Sequence, residues 1–210
     1  GHGLGAVPAM IITKGRDVVD NWMTRHKDYS ANTSFIELNT TNAEGNATDV
    51  WNNTAPTSSV ISVGTGNTVN ANTKLYVSYV FAEIEGYSKI GSYNGNNTND
   101  NVYVYLGFKP SFLMVKNTTA SSLASWSMYD NKRKLINSDD GTDSNPLYAN
   151  KSAEEGKRGD GTIAIGGTRM SIDFLSNGFK VRDVADETGI ADPYIYMAFA
   201  EVPFKYSNAE

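Results

Sequence analysis

The sequence predicts an all-β fold, a β-sandwich of lectin-like or jelly-roll-like character that is built from two tandem repeats. Three observations support this prediction. Residues that favour turns are abundant, because Asn, Thr, Ser and Gly make up 78 of the 210 residues. Short β-branched, aromatic or apolar segments separate the polar stretches, as is typical of strands. No segment keeps the 3.6-residue apolar period of a long amphipathic helix.

Similar segments recur along the chain in the same order. The matches are residues 4–14 with 106–116 (offset 102), Trp22 with Trp126, and residues 76–84 with 194–202 (offset 118). The first pair shares the motif Leu-Gly-x-x-Pro, followed by apolar residues and a lysine. We therefore predict two β repeats, residues 1–91 and 92–210, packed together as one compact unit, with longer loops in the second copy.

The individual strands follow from local patterns. The predicted strands are residues 10–13, 76–84, 102–105, 112–115, 172–176, 179–182 and 194–202. Asn177-Gly178 separates two of them and predicts a hairpin with a type I′ turn. Residues 17–23 and 152–155 each allow a turn or two of helix. Since residues 102–105 precede the second Leu-Gly-x-x-Pro motif, we expect that an equivalent strand once preceded the first.

Composition and charge exclude several classes of function. The chain has 18 Lys and Arg against 23 Asp and Glu, a net charge of −5 and a pI near 5.1. Without basic clusters, binding to nucleic acid or to an anionic membrane is not expected. No apolar run approaches the ~18 residues of a membrane-spanning helix. There is no cysteine, so disulfides, thiolate metal sites and cysteine nucleophiles are excluded.

Two opposite charges recur at matched positions. Lys14 and Lys116 end the short apolar strands, and Glu83 and Glu201 lie in the Phe-Ala-Glu segments of the long aromatic strands. We predict the cross-strand ion pairs Lys14–Glu83 and Lys116–Glu201 as structural pairs. The alternative, in which these carboxylates act as catalytic acid or base, is less favoured.

Each repeat also has a long polar loop with an aromatic-x-Asn element. These elements contain Trp51 with Asn53 and Tyr148 with Asn150. An aromatic face stacks on the C–H side of a sugar ring while amide groups bond its hydroxyls, so we predict these four residues as ligand-binding. The structural alternative is a loop closed by Asn hydrogen bonds and anchored by a buried aromatic side chain.

Catalytic and metal-binding patterns are weak. His2 and His26 are the two histidines of the chain, so neither a Ser-His-Asp triad nor a zinc site is expected. Residues 139–145 are rich in oxygen ligands but lack the spacing of an EF-hand, so we predict no metal and no cofactor. An Arg-Gly-Asp triplet at 158–160 is interpreted as a product of a Gly-rich loop.

The motifs as a set resemble a known family. The segments that carry the resemblance are residues 81–96, 105–110, 126–133, 172–180 and 194–205. They are similar to a domain common in tail-fibre-like and other virion-associated proteins of marine tailed bacteriophages. The resemblance spans essentially the whole chain and implies a phage structural or host-recognition protein, with no catalytic residues to carry over.

From the residues and the resemblance together, we expect a non-enzymatic module of a phage tail fibre or tail spike at the virion surface. Its expected partners are a bacterial surface glycan or receptor and other virion subunits, with a homotrimer as the default assembly. One alternative is a capsid-decorating or tail structural protein. A second is a polysaccharide-degrading enzyme that uses Glu44 with Asp49, or Glu154 with Asp160, as paired carboxylates.

Overall fold

The computed structural model describes residues 1–119, 123–133, 146–155 and 171–202. The chain divides into two compact units, Gly1–Glu83 and Ile84–Glu210. The boundary predicted between residues 91 and 92 falls inside a strand of the second unit. The all-β prediction is confirmed, since the two helices described have only four residues each. Neither helix has the length and apolar character needed to cross a membrane.

The first unit is built on one five-stranded antiparallel sheet. Its elements are β1 (Met10–Gly15), β2 (Met23–His26), β3 (Ser34–Glu37), β4 (Gly45–Asn46), α1 (Thr48–Trp51), α2 (Asn67–Asn70) and β5 (Tyr76–Phe81). The strand order is β4-β3-β2-β1-β5. The helical turn expected over residues 17–23 is not formed, because Asp17 instead accepts a hydrogen bond from the Leu75 N–H at 3.0 Å and Met23 begins β2.

The two short helices supply apolar cover for this sheet. Val50 and Trp51 of α1 and Val69 of α2 pack with Ile11 and Met23 of the sheet in one buried cluster. A sheet with one bare apolar face is unfavourable in water, so these helical turns supply the second layer of the core. Trp51 is its largest side chain and is fully buried.

The second unit contains two antiparallel sheets. Its strands are β6 (Ser88–Asn94), β7 (Tyr103–Tyr105), β8 (Pro110–Asn117), β9 (Ser127–Asp130), β10 (Leu147–Tyr148), β11 (Ile172–Leu175), β12 (Gly178–Val181) and β13 (Pro193–Ala200). The larger sheet has the order β10-β9-β8-β13-β6, and the smaller has the order β11-β12-β7. Residues 152–155, where a helical turn was expected, are not helical.

Aromatic side chains fill the core of the second unit. Phe179 of β12 meets Tyr93 and Tyr196 of the larger sheet edge to face, with ring centroids 5.9 and 5.4 Å apart, while Tyr93 stacks on Tyr194 at 4.9 Å. These geometries are the favoured ones for aromatic pairs. The smaller sheet therefore packs on the larger one as a sandwich.

The predicted hairpin is confirmed as β11–β12, but its turn differs from the prediction. Leu175 pairs with Gly178, so the loop consists of Ser176 and Asn177. None of these residues has the positive φ of a type I′ turn. Gly178 is required for space instead, because a Cβ there would collide with the Val104 carbonyl oxygen.

The matched segments occupy equivalent places in the two sheets. Met10 pairs with His26 and Phe81, and the aligned residue Phe112 pairs with Asp130 and Phe199. The order β2-β1-β5 thus corresponds to β9-β8-β13. The tandem-repeat interpretation stays a prediction, which these registers support.

The same registers show that the predicted ion pairs are wrong. Lys14 pairs with Val77, six residues before Glu83, and Lys116 pairs with Ile195, six residues before Glu201. At about 3.3 Å per residue, each lysine lies roughly 20 Å from its predicted partner. The antiparallel direction places the two charges at opposite ends of the strand pair.

Other groups satisfy these charges. The Lys14 Nζ donates to the carbonyl oxygens of Gly15 and Val18, both at 2.8 Å. Glu201 forms ion pairs with Lys109 at 2.7 Å and Lys132 at 3.8 Å. Glu201 therefore forms its ion pairs at one end of the larger sheet, and Lys116 lies at the other end.

Lys116 is fully buried, and its Nζ donates to the Asn117 carbonyl oxygen at 2.7 Å. Removal from water disfavours the charged amine and lowers the pKa of Lys116 to about 7. The repeat places this residue at the same strand-end position as Lys14, whose side chain is only partly buried.

Replacing Phe179 by Ala is expected to lower the free energy of unfolding by about 3–5 kcal/mol, because it removes the ring at the centre of the aromatic core. Chemical denaturation measures this loss. Leu175→Ala, on the outer face of the adjacent strand, serves as the control and should cost about 1 kcal/mol or less. Equal losses for the two variants would contradict the packing described.

Lys116→Met is expected to change how stability depends on pH. Between pH 7 and 10.5 the folded amine is neutral while the unfolded one is protonated, so the unfolded state binds more protons and the wild-type unfolding free energy rises with pH. Methionine removes this rise. The stability difference between variant and wild type should therefore shift by about 4 kcal/mol across this window.

Denaturation curves at a series of pH values between 6 and about 10 measure this effect. The matched control is Lys109→Met, because the Lys109 side chain is 51% exposed and pairs with Glu201 at the surface. Its profile should run parallel to that of the wild type. Parallel profiles for Lys116→Met as well would show that the buried amine does not titrate as described.

Candidate functional site

The structure buries Trp51 and leaves Asn53 exposed, so the ligand-binding role of Asn53 stays a prediction. Trp51 ends α1 and its ring is fully buried in the core of the first unit. Asn52 and Asn53 follow with positive φ values of 52° and 47°, which ends the helix. Since the Trp51 ring has no exposed face, it cannot stack on a sugar, and the predicted ligand-binding role is corrected to that of a buried anchor.

Tyr148 and Asn150 are corrected in the same way. Tyr148 is 6% exposed and packs against Ala185 and Ala153. The Asn150 side chain accepts a hydrogen bond from the Trp126 N–H at 3.0 Å and contacts the Ser125 Oγ at 3.4 Å. The Asn side chain closes the loop, and the aromatic ring holds it against the core.

The remaining predicted chemistry does not assemble into a site among the described residues. His26 is buried, and its Nδ1 accepts the Asp28 N–H at 3.1 Å. Glu44 accepts hydrogen bonds from the Ser30 N–H at 2.9 Å and the Ser30 hydroxyl at 2.5 Å, so it closes a turn. No group of three His, Asp or Glu side chains in these ranges could hold a metal ion. Residues 139–145 and 158–160 lie outside the described residues.

A different surface combines exposed aromatic rings with polar groups. It is the outer face of the smaller sheet of the second unit. We call it the tyrosine face and define it by Tyr103, Tyr105, Asp173, Asn177, Lys180 and Arg182. Strand alternation creates it, because Val104, Ile172, Phe174, Phe179 and Val181 point to the core and their neighbours point outward.

Two tyrosines dominate this face. Tyr103 and Tyr105 are 44% and 65% exposed and stand two residues apart on β7, about 7 Å along the strand. The Tyr103 ring lies against Gly178, where a Cβ would stand 3.0 Å from the tyrosine hydroxyl oxygen. The Tyr103 hydroxyl donates to the Asn177 Oδ1 at 2.7 Å. The absence of a side chain at Gly178 lets the Tyr103 ring lie close against the sheet.

The polar groups around the tyrosines have balanced charges. Lys180 forms an ion pair with Asp100, and the Arg182 Nε lies 3.5 Å from the Asp173 carboxylate. The hydrogen bond from Lys180 lowers the pKa of Asp100. Both carboxylates therefore act as hydrogen-bond acceptors beside the rings, and the two cations act as donors.

Backbone hydrogen bonds fix the position of the hairpin relative to β7. The Asn177 carbonyl oxygen accepts the N–H groups of Leu106 and Gly107 at 2.9 and 3.1 Å. Gly107 has a φ of +85°, which a glycine adopts without strain. The Asn177 end of the tyrosine face is thus held against β7 by backbone hydrogen bonds.

A buried polar cluster supports the other end of the smaller sheet. The Asp183 carboxylate accepts hydrogen bonds from the Ser171 N–H at 2.6 Å, the Ala185 N–H at 3.1 Å and the Thr188 hydroxyl at 2.7 Å. Burial raises the pKa of Asp183 to about 7. Asn101 donates to the carbonyl oxygens of Asp183 and Gly189, which ties the start of β7 to the chain after β12.

The sequence contained a signal for this face that the loop-based interpretation missed. Residues 102–105 were predicted as a strand, and Tyr-Val-Tyr within it places both tyrosines on one side. Because Val104 is buried, the tyrosines must face outward. The charged partners cannot be read from sequence, since Asp100, Asp173 and Lys180 meet only through strand pairing.

Comparison with known proteins adds a family assignment to this description. No curated protein and no solved structure matches the chain. A family model described as a domain of unknown function, DUF7483, matches residues 1–203. The match covers both units, and the chain therefore belongs to the DUF7483 family.

Proposed function

We propose that this protein is a non-enzymatic module of a bacteriophage tail fibre or tail spike that binds a bacterial surface glycan through the tyrosine face. The phage context is supported by the sequence resemblance described above. The site differs from the one predicted from the loops, because Trp51 and Tyr148 are buried.

The observation that carries the proposal is the pair of exposed rings, Tyr103 and Tyr105, on one rigid strand. The two rings stand about 7 Å apart along β7, so one extended ligand can contact both. Aromatic faces take up the C–H side of sugar rings, and the adjacent Asn177, Lys180 and Asp173 supply donors and acceptors for hydroxyl groups.

The electrostatics favour an uncharged, hydroxyl-rich ligand. The two cations of the face are each matched by a carboxylate, so the face lacks the excess positive charge that nucleic acids or strongly anionic polymers require. The lowered pKa of Asp100 keeps this carboxyl ionised at neutral pH.

A shallow surface of this kind binds one glycan weakly, and the many copies in a virion raise the overall affinity. In a homotrimeric fibre, with several fibres per particle, many weak contacts with host glycans act together. The further partners are other virion subunits, and the location is the virion surface. No cofactor takes part.

A capsid-decorating or tail structural role is a second candidate. The same exposed tyrosines favour it, because tyrosine is enriched at protein interfaces. In that case the tyrosine face would contact a neighbouring virion subunit, and the protein would not bind host polysaccharide.

Tyr103→Ala and Tyr105→Ala are each expected to weaken glycan binding about tenfold, since losing one stacked ring costs about 1–1.5 kcal/mol. Binding is measured for the whole protein, displayed multivalently, on glycan arrays and on host cells. The control is Tyr87→Ala, which removes a 37% exposed tyrosine of the same unit that is not on the tyrosine face.

All three variants should unfold at similar denaturant concentrations, because none of these rings lies in the core. Binding that survives in the Tyr103/Tyr105 double variant would exclude the tyrosine face as the glycan site. A wild-type protein that binds no glycan but retains its place in purified virions would favour the structural role.

A further inference from the structure

Both tyrosine hydroxyls of the tyrosine face lie near the turn between β11 and β12. The Tyr103 hydroxyl donates to the Asn177 Oδ1 at 2.7 Å and lies 3.4 Å from the Asn177 carbonyl oxygen. A Cβ on Gly107 would stand 3.6 Å from the Tyr105 hydroxyl oxygen, and the Gly107 N–H donates to the same Asn177 carbonyl at 3.1 Å. The two phenol groups therefore gather around Asn177.

The Tyr103 ring is held in one orientation across the sheet. Tyr103 pairs with Lys180, whereas Gly178 pairs with Tyr105 in the next row. A Cβ on Gly178 would nevertheless stand 3.0 Å from the Tyr103 hydroxyl oxygen and 3.1 Å from its ring carbon Cε2. The ring thus leans over Gly178 towards the turn, where Asn177 binds its hydroxyl. The exposed 44% of this side chain is presented to solvent in that orientation.

The hydrogen bond between Tyr103 and Asn177 determines which polar atoms a ligand meets. A phenol that donates its proton keeps a lone pair on its oxygen, and an amide that accepts through Oδ1 keeps two N–H donors on Nδ2. Within the described ranges, the Asn177 side chain bonds through Oδ1 alone. Asn177 is also exposed. An acceptor, the Tyr103 oxygen, and a donor, the Asn177 Nδ2, therefore lie side by side on an open surface.

A hydroxyl group is the chemical complement of this pair of atoms. It accepts a hydrogen bond from the Asn177 Nδ2 while it donates its own proton to the Tyr103 oxygen. The three hydrogen bonds then form a cycle in which each one polarises the next. A carboxylate or phosphate can only accept and an ammonium group can only donate, so each would use one of the two atoms. An O-acetyl or O-methyl group has no proton for the Tyr103 oxygen.

We propose that Tyr103 and Asn177 form a hydroxyl-recognition pair, through which the tyrosine face selects saccharides with a free hydroxyl beside the C–H face that stacks on the rings. This inference rests on the proposed function and narrows its ligand class. Neutral glycans that are unmodified at this hydroxyl bind, and glycans that are acylated or alkylated there lose both polar contacts. A surface that used stacking alone would not distinguish the two forms.

The experiment compares free and O-acetylated forms of the same glycans on one array, with the whole protein displayed multivalently. The wild type should prefer the free form about tenfold, as expected for the gain of one or two hydrogen bonds. Tyr103→Phe keeps the ring and removes the acceptor oxygen, and Asn177→Ala removes the Nδ2 donors. Each variant should bind the free form about tenfold more weakly and the acetylated form like the wild type, so the preference disappears.

Two control variants change similar groups outside the pair. Ser176→Ala shortens the exposed neighbouring side chain of the same turn, and Tyr87→Phe removes a phenol hydroxyl of the same unit that is not on the tyrosine face. Both should keep the wild-type preference for the free form. Circular dichroism and chemical denaturation show that every variant is folded.

The ratio of the two affinities separates hydroxyl recognition from a purely structural role of the Tyr103–Asn177 hydrogen bond. A ring that is only less well held would bind both glycan forms more weakly in the same proportion. A wild type with equal affinity for the two forms, or a preference that survives in Tyr103→Phe and Asn177→Ala, overturns the hydroxyl-recognition pair and leaves the glycan site standing. A wild type that binds neither form overturns the proposed function and this inference with it.

Discussion

Pairing between strand backbones is the constraint on which the rest of this structure depends. The described chain has no helix longer than four residues and the sequence has no cysteine, so sheets supply nearly all of its regular hydrogen-bonded structure. Each unit solves this with a five-stranded antiparallel sheet that needs a second layer. Two helical turns provide that layer in the first unit, and a three-stranded sheet provides it in the second.

Many polar side chains stabilise the fold by hydrogen bonds, although the polar loops were expected to bind a ligand. Asn101, Asn117 and Asn150 each direct their side-chain amides to backbone or hydroxyl groups of other segments, and the buried Asp183 carboxylate gathers three donors. Such bonds close loops that have too few apolar residues to pack by themselves. Much of the Asn-rich character therefore belongs to the scaffold, and the recognition surface that we propose lies on a strand face instead.

The sequence predicts where most strands lie, but it does not predict which residues of different strands come into contact. β1, β5, β8, β13 and the β11–β12 hairpin follow from local patterns, and the offsets of 102 and 118 residues identify which positions correspond. The offsets do not show at which end of a strand pair two charges lie. They therefore predict Lys116 as the partner of Glu201, whereas the structure pairs Glu201 with Lys109. The polar sequence around Trp51 predicts an exposed ring, but Ile11 and Val69 from other segments pack around it and place it in the core.

The pairing of Lys180 with Asp100 and of Arg182 with Asp173 has a consequence for the setting in which the tyrosine face can work. A surface with no net charge neither attracts nor repels ligands over long distances, so dissolved ions have little to screen. Contacts made through ring stacking and short hydrogen bonds keep their strength as ionic strength rises. The proposed adhesion through this face would therefore have a similar affinity at high and at low ionic strength.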